Sequence, residues 1–264
     1  MPGMTAFLFE GVSLESVFTP LLFSAVFIYF LAGAIKGMLG IGFPTAAVSL
    51  LAQIVDARTA ILLVVIPMVV TNAWQVWRNR RVRWVFRSFW RLLLMMLIFI
   101  AIFSQLAGRV PVGLLTGVLG LIVAVYSLSS LYLPVLNIPD RHDRLSQFVA
   151  GSSAGVMGGL TGVWAPPLLI YLKARGVGKE AFVATTGVLL CLGSLVLFTG
   201  YASAGLIVGP LLVMSCLLLL PSLAGFSAGE RIRRRLSPER FERLLLWFFL
   251  VMGLNLIRRA LVGG

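Results

Sequence analysis

Gly33-Ala34-Ile35-Lys36-Gly37-Met38-Leu39-Gly40-Ile41-Gly42-Phe43-Pro44 sets one lysine in an apolar stretch and breaks that stretch with glycines and a proline. The run before it, 16–35, contains no Asp, Glu, Lys or Arg. A helix of about 20 apolar residues crosses the hydrocarbon core of a bilayer. The stretch therefore reads as a membrane helix that is interrupted just after Lys36. Five more charge-free runs follow at 59–77, 92–108, 110–139, 145–172 and 181–229. Some of these are long enough for two segments. A β-barrel would show alternating segments of about 10 residues, and these runs do not alternate.

Composition points the same way. Of the 264 residues, 59% are hydrophobic and 12% charged, with a mean hydropathy of +1.02. Soluble domains run about 45–50% apolar and about 25% charged, so a soluble globular protein is excluded. The net charge of +13 does not point to nucleic acid, because the basic residues sit in short loops between apolar runs, where they orient the chain and meet anionic lipid. Cys191 and Cys216 both lie in apolar runs and make neither a disulfide framework nor a metal motif. No Lys or Arg precedes Lys36, and no small-residue cleavage site is evident, so a removable signal peptide is not expected. His142, the single histidine, falls in the charged stretch 140–144. There is no Walker motif, no metal cluster and no nucleophile–base pair, so no cofactor is expected and an intramembrane enzyme is disfavoured.

Cut at its Gly, Pro and polar breaks, the chain gives ten segments. Five lie at 17–37, 44–55, 59–77, 89–108 and 110–133, and five at 146–158, 166–173, 181–200, 205–226 and 244–262. The glycines of 33–40 recur at the first, fifth and eighth positions of 151–158. Pro44 then answers Pro166-Pro167, and a charged turn and a long helix follow in each half. An odd number of crossings per repeat inverts the second copy. The basic loops agree. Residues 78–91 carry Arg78, Arg80, Arg81, Arg83, Arg87 and Arg91; residues 227–243 carry Arg231, Arg233, Arg234, Arg235, Arg240 and Arg243. With these loops cytoplasmic, Arg141, Arg144, Lys173, Arg175 and Lys179 also fall inside, and Arg58, Arg109, Arg258 and Arg259 outside. The expected architecture is one all-α polytopic membrane domain of about seven to ten segments. Its inverted repeats are 1–133 and 146–264, joined by a cytoplasmic loop at 134–145, and each holds a broken, glycine-rich half-helix pair.

Segments 44–55 and 166–173 are too short to span at about 1.5 Å per residue. Paired short segments interrupted by Gly and Pro mark the binding site of many secondary transporters. Gly37–Phe43 and Gly158–Ala165 are expected as unwound bends, each leading into a half-helix whose N-terminal N–H groups and dipole attract anions. Tight helix packing is the competing use of such glycines. Lys36 is a functional candidate because a charge near the bilayer core is expensive, although it could also snorkel to an interface. Asn72 and Ser194 occupy matching places in the third helices, with Thr71, Thr185 and Thr186 nearby, and these groups could hydrogen-bond an oxyanion or simply a neighbouring helix. The candidate substrate-binding residues are Lys36, Gly37, Gly40, Gly42, Pro44 and Asn72 in the first half, and Gly158, Gly159, Thr161, Gly162, Pro166, Thr185, Thr186 and Ser194 in the second. No catalytic or metal-binding residue is expected.

The chain resembles the sulfite exporter TauE/SafE family, also called the four-toluene-sulfonate uptake permease family. Three motifs carry the resemblance: Gly-x-x-x-Gly-x-x-Gly-Ile-Gly at 33–42, Ala-Gly-Val-Met-Gly-Gly-Leu-Thr-Gly at 154–162 with Pro166, and Val183-Ala184-Thr185-Thr186. Phe43-Pro44 and Leu160-Thr161 stand where the family pattern has further glycine. The resemblance implies transport of sulfite, sulfonates or related small anions across the inner membrane. It leaves a non-transporting scaffold or assembly subunit, or an organic-anion uptake permease, as alternatives. The partners this reading allows are a small anionic substrate, membrane lipids and a second copy of the chain in a homodimer, with no nucleic acid.

Overall fold

The computed structural model describes residues 14–79, 82–134, 137–207, 209–232 and 238–262. Within them the chain is helical: α1 (Leu14–Leu39), α2 (Phe43–Leu51), α3 (Ala57–Asn79), α4 (Val82–Leu106), α5 (Val112–Tyr132), α6 (Asp143–Thr161), α7 (Ala165–Ala174), α8 (Lys179–Ser203), α9 (Gly209–Leu217), α10 (Leu219–Ile232) and α11 (Pro238–Val262), with one 3-10 turn at Asp140–His142. Among the described residues, seven helical stretches are long and apolar enough to cross a membrane. Phe23, Phe27, Val125, Leu220 and Leu244 stay exposed, as suits side chains that face acyl chains. The fold is that of a multi-pass membrane protein.

Two boundaries differ from the sequence reading. The stretch 205–226 is two helices, α9 and α10. Pro221 lacks the N–H that would bond back to Leu217, and its ring crowds that carbonyl, so the helix breaks next to it. The basic stretch 78–91 is mostly helix. Arg83, Arg87 and Arg91 recur every fourth residue on α4, while Val85 and Phe89 between them are buried. That spacing gives an amphipathic turn, which bends at Phe89 (φ −126°, ψ 25°). Arg91 lies over the Trp90 ring, 4.7 Å from its centre. Arg80, Arg81, Arg233, Arg234 and Arg235 lie outside the described residues, as do the side chains of Arg78 and Arg240.

Most of the clustered glycines serve helix packing. Gly33 and Gly37 on α1 face Gly225 and Gly229 on α10 so closely that a Cβ on any of the four would strike the other helix's backbone. Gly151, Gly155 and Gly159 do the same for α6 on α4. Small residues at this spacing let membrane helices approach, where dispersion and weak polar contacts hold them. Both pairs run parallel, since Gly33 meets Ser222 and Gly37 meets Phe226, while Gly151 meets Leu92 and Gly159 meets Ile100. The pairs α3·α8 and α5·α11 run antiparallel: Asn72 meets Leu190 while Gln75 meets Val183, and Gly120 meets Gly253 while Gly117 meets Ala260.

The two short helices finish at opposite ends of the bundle. At one end, Arg259 donates to Ala52 O and Arg58 to Val110 O, both at 2.5 Å. Here α2 gives way to α3 and α11 terminates. At the other end, Arg175 donates to Ile138 O and to Asp140, both at 2.7 Å, and also pairs with Asp143 at 3.0 Å. Here α7 gives way to α8. Hydrogen bonding to Asp140 raises the Arg175 pKa above its ordinary value, so the guanidinium stays charged.

Candidate substrate-binding site

The bends are shorter than the glycine clusters suggested. Helix α1 continues through Gly37 to Leu39, and only Gly40-Ile41-Gly42 is unwound. Helix α6 continues through Gly158 and Gly159 to Thr161, and only Gly162-Val163-Trp164 is unwound. Gly37, Gly158 and Gly159 are therefore packing residues by position. Gly40, Gly42 and Gly162 take φ of 79°, 92° and 70°, the left-handed region that side chains with a Cβ avoid. These three make the turns. Gly40 and Gly162 stand as far apart in sequence as Asn72 and Ser194, 122 positions. The starts of α3 and α8 keep the same offset. Gly40 also rests on Val183 just as Gly162 rests on Ile61. In this register Gly37 corresponds to Gly159 and Lys36 to Gly158, four positions from the pairing that matches the glycine clusters.

Around the first bend, Lys36 is fully buried. Its ammonium donates to Thr71 Oγ1 at 3.1 Å and to Asn72 Oδ1. Both partners are neutral. Asn72 Nδ2 in turn donates to Leu190 O at 3.0 Å and Ser194 Oγ at 3.4 Å, and Ser194 donates to Cys191 O. One turn further along α3, Gln75 donates to Val183 O at 3.3 Å. A charge at this depth without a carboxylate partner costs several kcal/mol, about what other buried ions cost. Helix α2 starts close by, with Gly42 as its N-cap and Pro44 in its first turn. Ala46 is the first amide bonded back, to Gly42 O at 2.9 Å. The N–H groups of Phe43 and Thr45 precede it, and a helix has no internal partner for them.

The second bend is chemically different. Pro166 and Pro167 open α7 and remove two N–H donors from its first turn. Trp164 occupies the place of Gly42, and its ring fills the space over Gly158 and Gly193. Its indole N–H is buried without a hydrogen-bond partner among the described residues, and so is Thr185 Oγ1 on α8. Thr161 and Thr186 donate to Met157 O and Phe182 O in their own helices, so neither joins the Lys36 network.

A cavity of about 100 Å³ lies between the first bend and the start of α7: Ile41, Gly42 and Thr45 line it on one side and Ala165 on the other. Leu246, Phe249 and Phe182 make much of its wall apolar, and Leu39 and Ile41 bring the end of α1 to it. The structure thus joins Lys36, Asn72 and Ser194 in one network and brings Gly42 and the start of α7 to one cavity. Thr45, Gln75 and Trp164 were not among the residues expected. For Gln75 the signal was available, because Thr71, Asn72 and Gln75 share one face of α3. Nothing in the sequence marked Trp164 apart from its position beside Gly162.

A long-helix membrane bundle with two glycine-turned half-helices, one of them following a buried lysine, has the construction of a secondary transporter. A family model described as Sulfite exporter TauE/SafE matches residues 25–256. The chain belongs to this family, whose members are membrane permeases and exporters of sulfur anions and not enzymes. No curated protein and no solved structure is matched.

Proposed function

We propose that this chain is an inner-membrane permease for small sulfur oxyanions of the sulfite or sulfonate type. The anion binds at the first bend, between the Lys36 ammonium and the N-terminus of α2. The observation that carries this reading is Lys36 itself, a buried lysine whose side-chain hydrogen bonds among the described residues all go to neutral groups. An oxyanion would supply the missing charge. The Phe43 and Thr45 amides, with the Thr45 hydroxyl, could then hold its oxygens.

Two inverted repeats would exchange access to this site. The packing supports that reading: exchanging the first half for the second turns α1 on α10 into α6 on α4 and leaves the pairs α3·α8 and α5·α11 unchanged. The opposite ends reached by α2 and α7 fit the same inversion. No Asp or Glu lies between 56 and 140 or between 180 and 230, which favours anion movement without a carboxylate proton carrier. Export then runs with an inside-negative potential, at about 2.3 kcal/mol per charge per 100 mV.

One observation favours a second substrate class. The apolar wall of the cavity suits the organic tail of a sulfonate better than bare sulfite. Flux of sulfite, ethanesulfonate and sulfate through reconstituted vesicles tests both readings. Saturable movement of the first two, lost in Lys36→Met, is the expected outcome. A chain that moves none of the three anions is not a permease of this kind.

A further inference from the structure

The pair Lys173–Glu242 is unexplained by the site described so far. Lys173 closes α7, Glu242 stands near the start of α11, and their Nζ and Oε1 are 3.0 Å apart. Both side chains line the cavity that reaches Gly42 and Thr45. They are also partly exposed, at 40% and 34%, whereas Thr45 is buried. The cavity therefore runs from a charged pair at the surface to the start of α2. About 100 Å³ is several times what one water needs, room for a small anion.

We propose that Lys173 is an entry site for the anion and that Glu242 is its internal competitor. This rests on the anion-permease reading and adds the place where substrate enters: the end of the bundle that carries Arg175, Asp140 and Asp143. Glu242 holds the Lys173 ammonium at the cavity mouth while no substrate is present. An arriving sulfite or sulfonate displaces the carboxylate, pairs with Lys173, and passes inward to Thr45 and the α2 N-terminus. The exchange is cheap, because a partly exposed ion pair is only weakly stabilising. A buried pair could not serve, since breaking it would strand a charge. Leu246 and Phe249 line the passage, so water alone does not bridge the two stations well.

The two partners give opposite predictions. Removing the competitor by Glu242→Gln frees Lys173 and lowers KM for sulfite in reconstituted vesicles about three- to fivefold. Removing the capturing charge by Lys173→Gln raises KM by about the same factor. Those factors follow from the worth of an exposed ion pair. Both effects shrink as ionic strength rises, because the groups are solvent-accessible. If the pair were only a latch between α7 and α11, breaking it from either side would shift KM in the same direction, and the proposal would fail. Unchanged KM in both variants would also overturn it. Absence of sulfite and sulfonate flux in the unaltered protein would instead remove the permease reading and this inference together. Both residues are partly exposed, so folding is expected to survive, and the melting temperature of each purified variant verifies this.

Discussion

Asn72 and Ser194 lie 122 positions apart in the sequence, and the Asn72 amide nitrogen is 3.4 Å from the Ser194 hydroxyl. They meet where the two long third helices, α3 and α8, cross. If the two halves are inverted repeats, as proposed above, these equivalent positions lie next to the axis that relates them. Lys36 joins them through Asn72 Oδ1, whereas its counterpart Gly158 is covered by Trp164. In the inverted-repeat reading proposed above, the two equivalent sides differ in chemistry, with a lysine on one and an indole on the other.

That asymmetry gives the first prediction. Asn72→Asp keeps the shape of the side chain and places a carboxylate on Lys36. Two unit charges about 4 Å apart attract by about 4 kcal/mol at an effective dielectric of about 20. A substrate anion must then compete with a tethered one. Flux should fall at least tenfold while the melting temperature holds or rises. Flux close to that of the unaltered protein would show that the anion does not use Lys36.

Thr185 offers a test with an unusual sign. Its hydroxyl is buried and has no hydrogen-bond partner among the described residues, an arrangement that costs about 1–3 kcal/mol. Thr185→Val removes the orphan group at almost constant shape. The protein should become more heat-resistant, by about 1 kcal/mol. If the hydroxyl waits for substrate, flux drops in the same variant. A stabler variant with full flux would leave Thr185 as ordinary packing.

The glycines separate into two classes that mutation should distinguish. Gly42 has φ 92° and open space around it: a methyl placed on its Cα would meet nothing nearer than Ile35, at 3.5 Å. Gly42→Ala therefore costs backbone strain of about 1–2 kcal/mol and alters the α2 N-terminus directly. Gly37→Ala drives a methyl into the Phe226 carbonyl and separates α1 from α10. The expected outcome is a folded, transport-impaired Gly42 variant and a poorly folded Gly37 variant, read by flux per folded molecule after size-exclusion chromatography. Equal loss of folding in both would place Gly42 among the packing residues.

The helices were legible because each is a long uncharged run with a glycine, proline or charge at its end. Short helices α2 and α7 were legible because Pro44 and Pro166 suit a first turn. The extent of the bends was not legible. Gly37 and Gly40 look alike in sequence, yet one meets another helix's backbone and the other turns the chain, and only tertiary contacts distinguish those uses. The basic stretch 78–91 reads as a loop because six arginines outweigh the alternation that buries Val85 and Phe89. The Lys173–Glu242 pair joins residues 69 positions apart, a separation over which no local pattern operates.

The remaining prediction concerns what drives transport. The first bend offers a lysine, helix N–H groups and neutral partners, and the charge-free runs hold no acid to carry a proton. A sulfur oxyanion that crosses alone moves negative charge on every turnover. Efflux from vesicles should then accelerate when the side bearing Lys173 and Glu242 is made negative with a potassium gradient and valinomycin. A tenfold bias corresponds to about 1.4 kcal/mol, which about 60 mV supplies for one charge. A dianion should respond about twice as steeply, so comparing sulfite across the pH range in which it changes charge gives an internal check. Flux that ignores voltage and follows an imposed pH gradient would mean that a proton accompanies the anion. Uncoupled export would then be wrong, while Lys36 could still be the anion's partner.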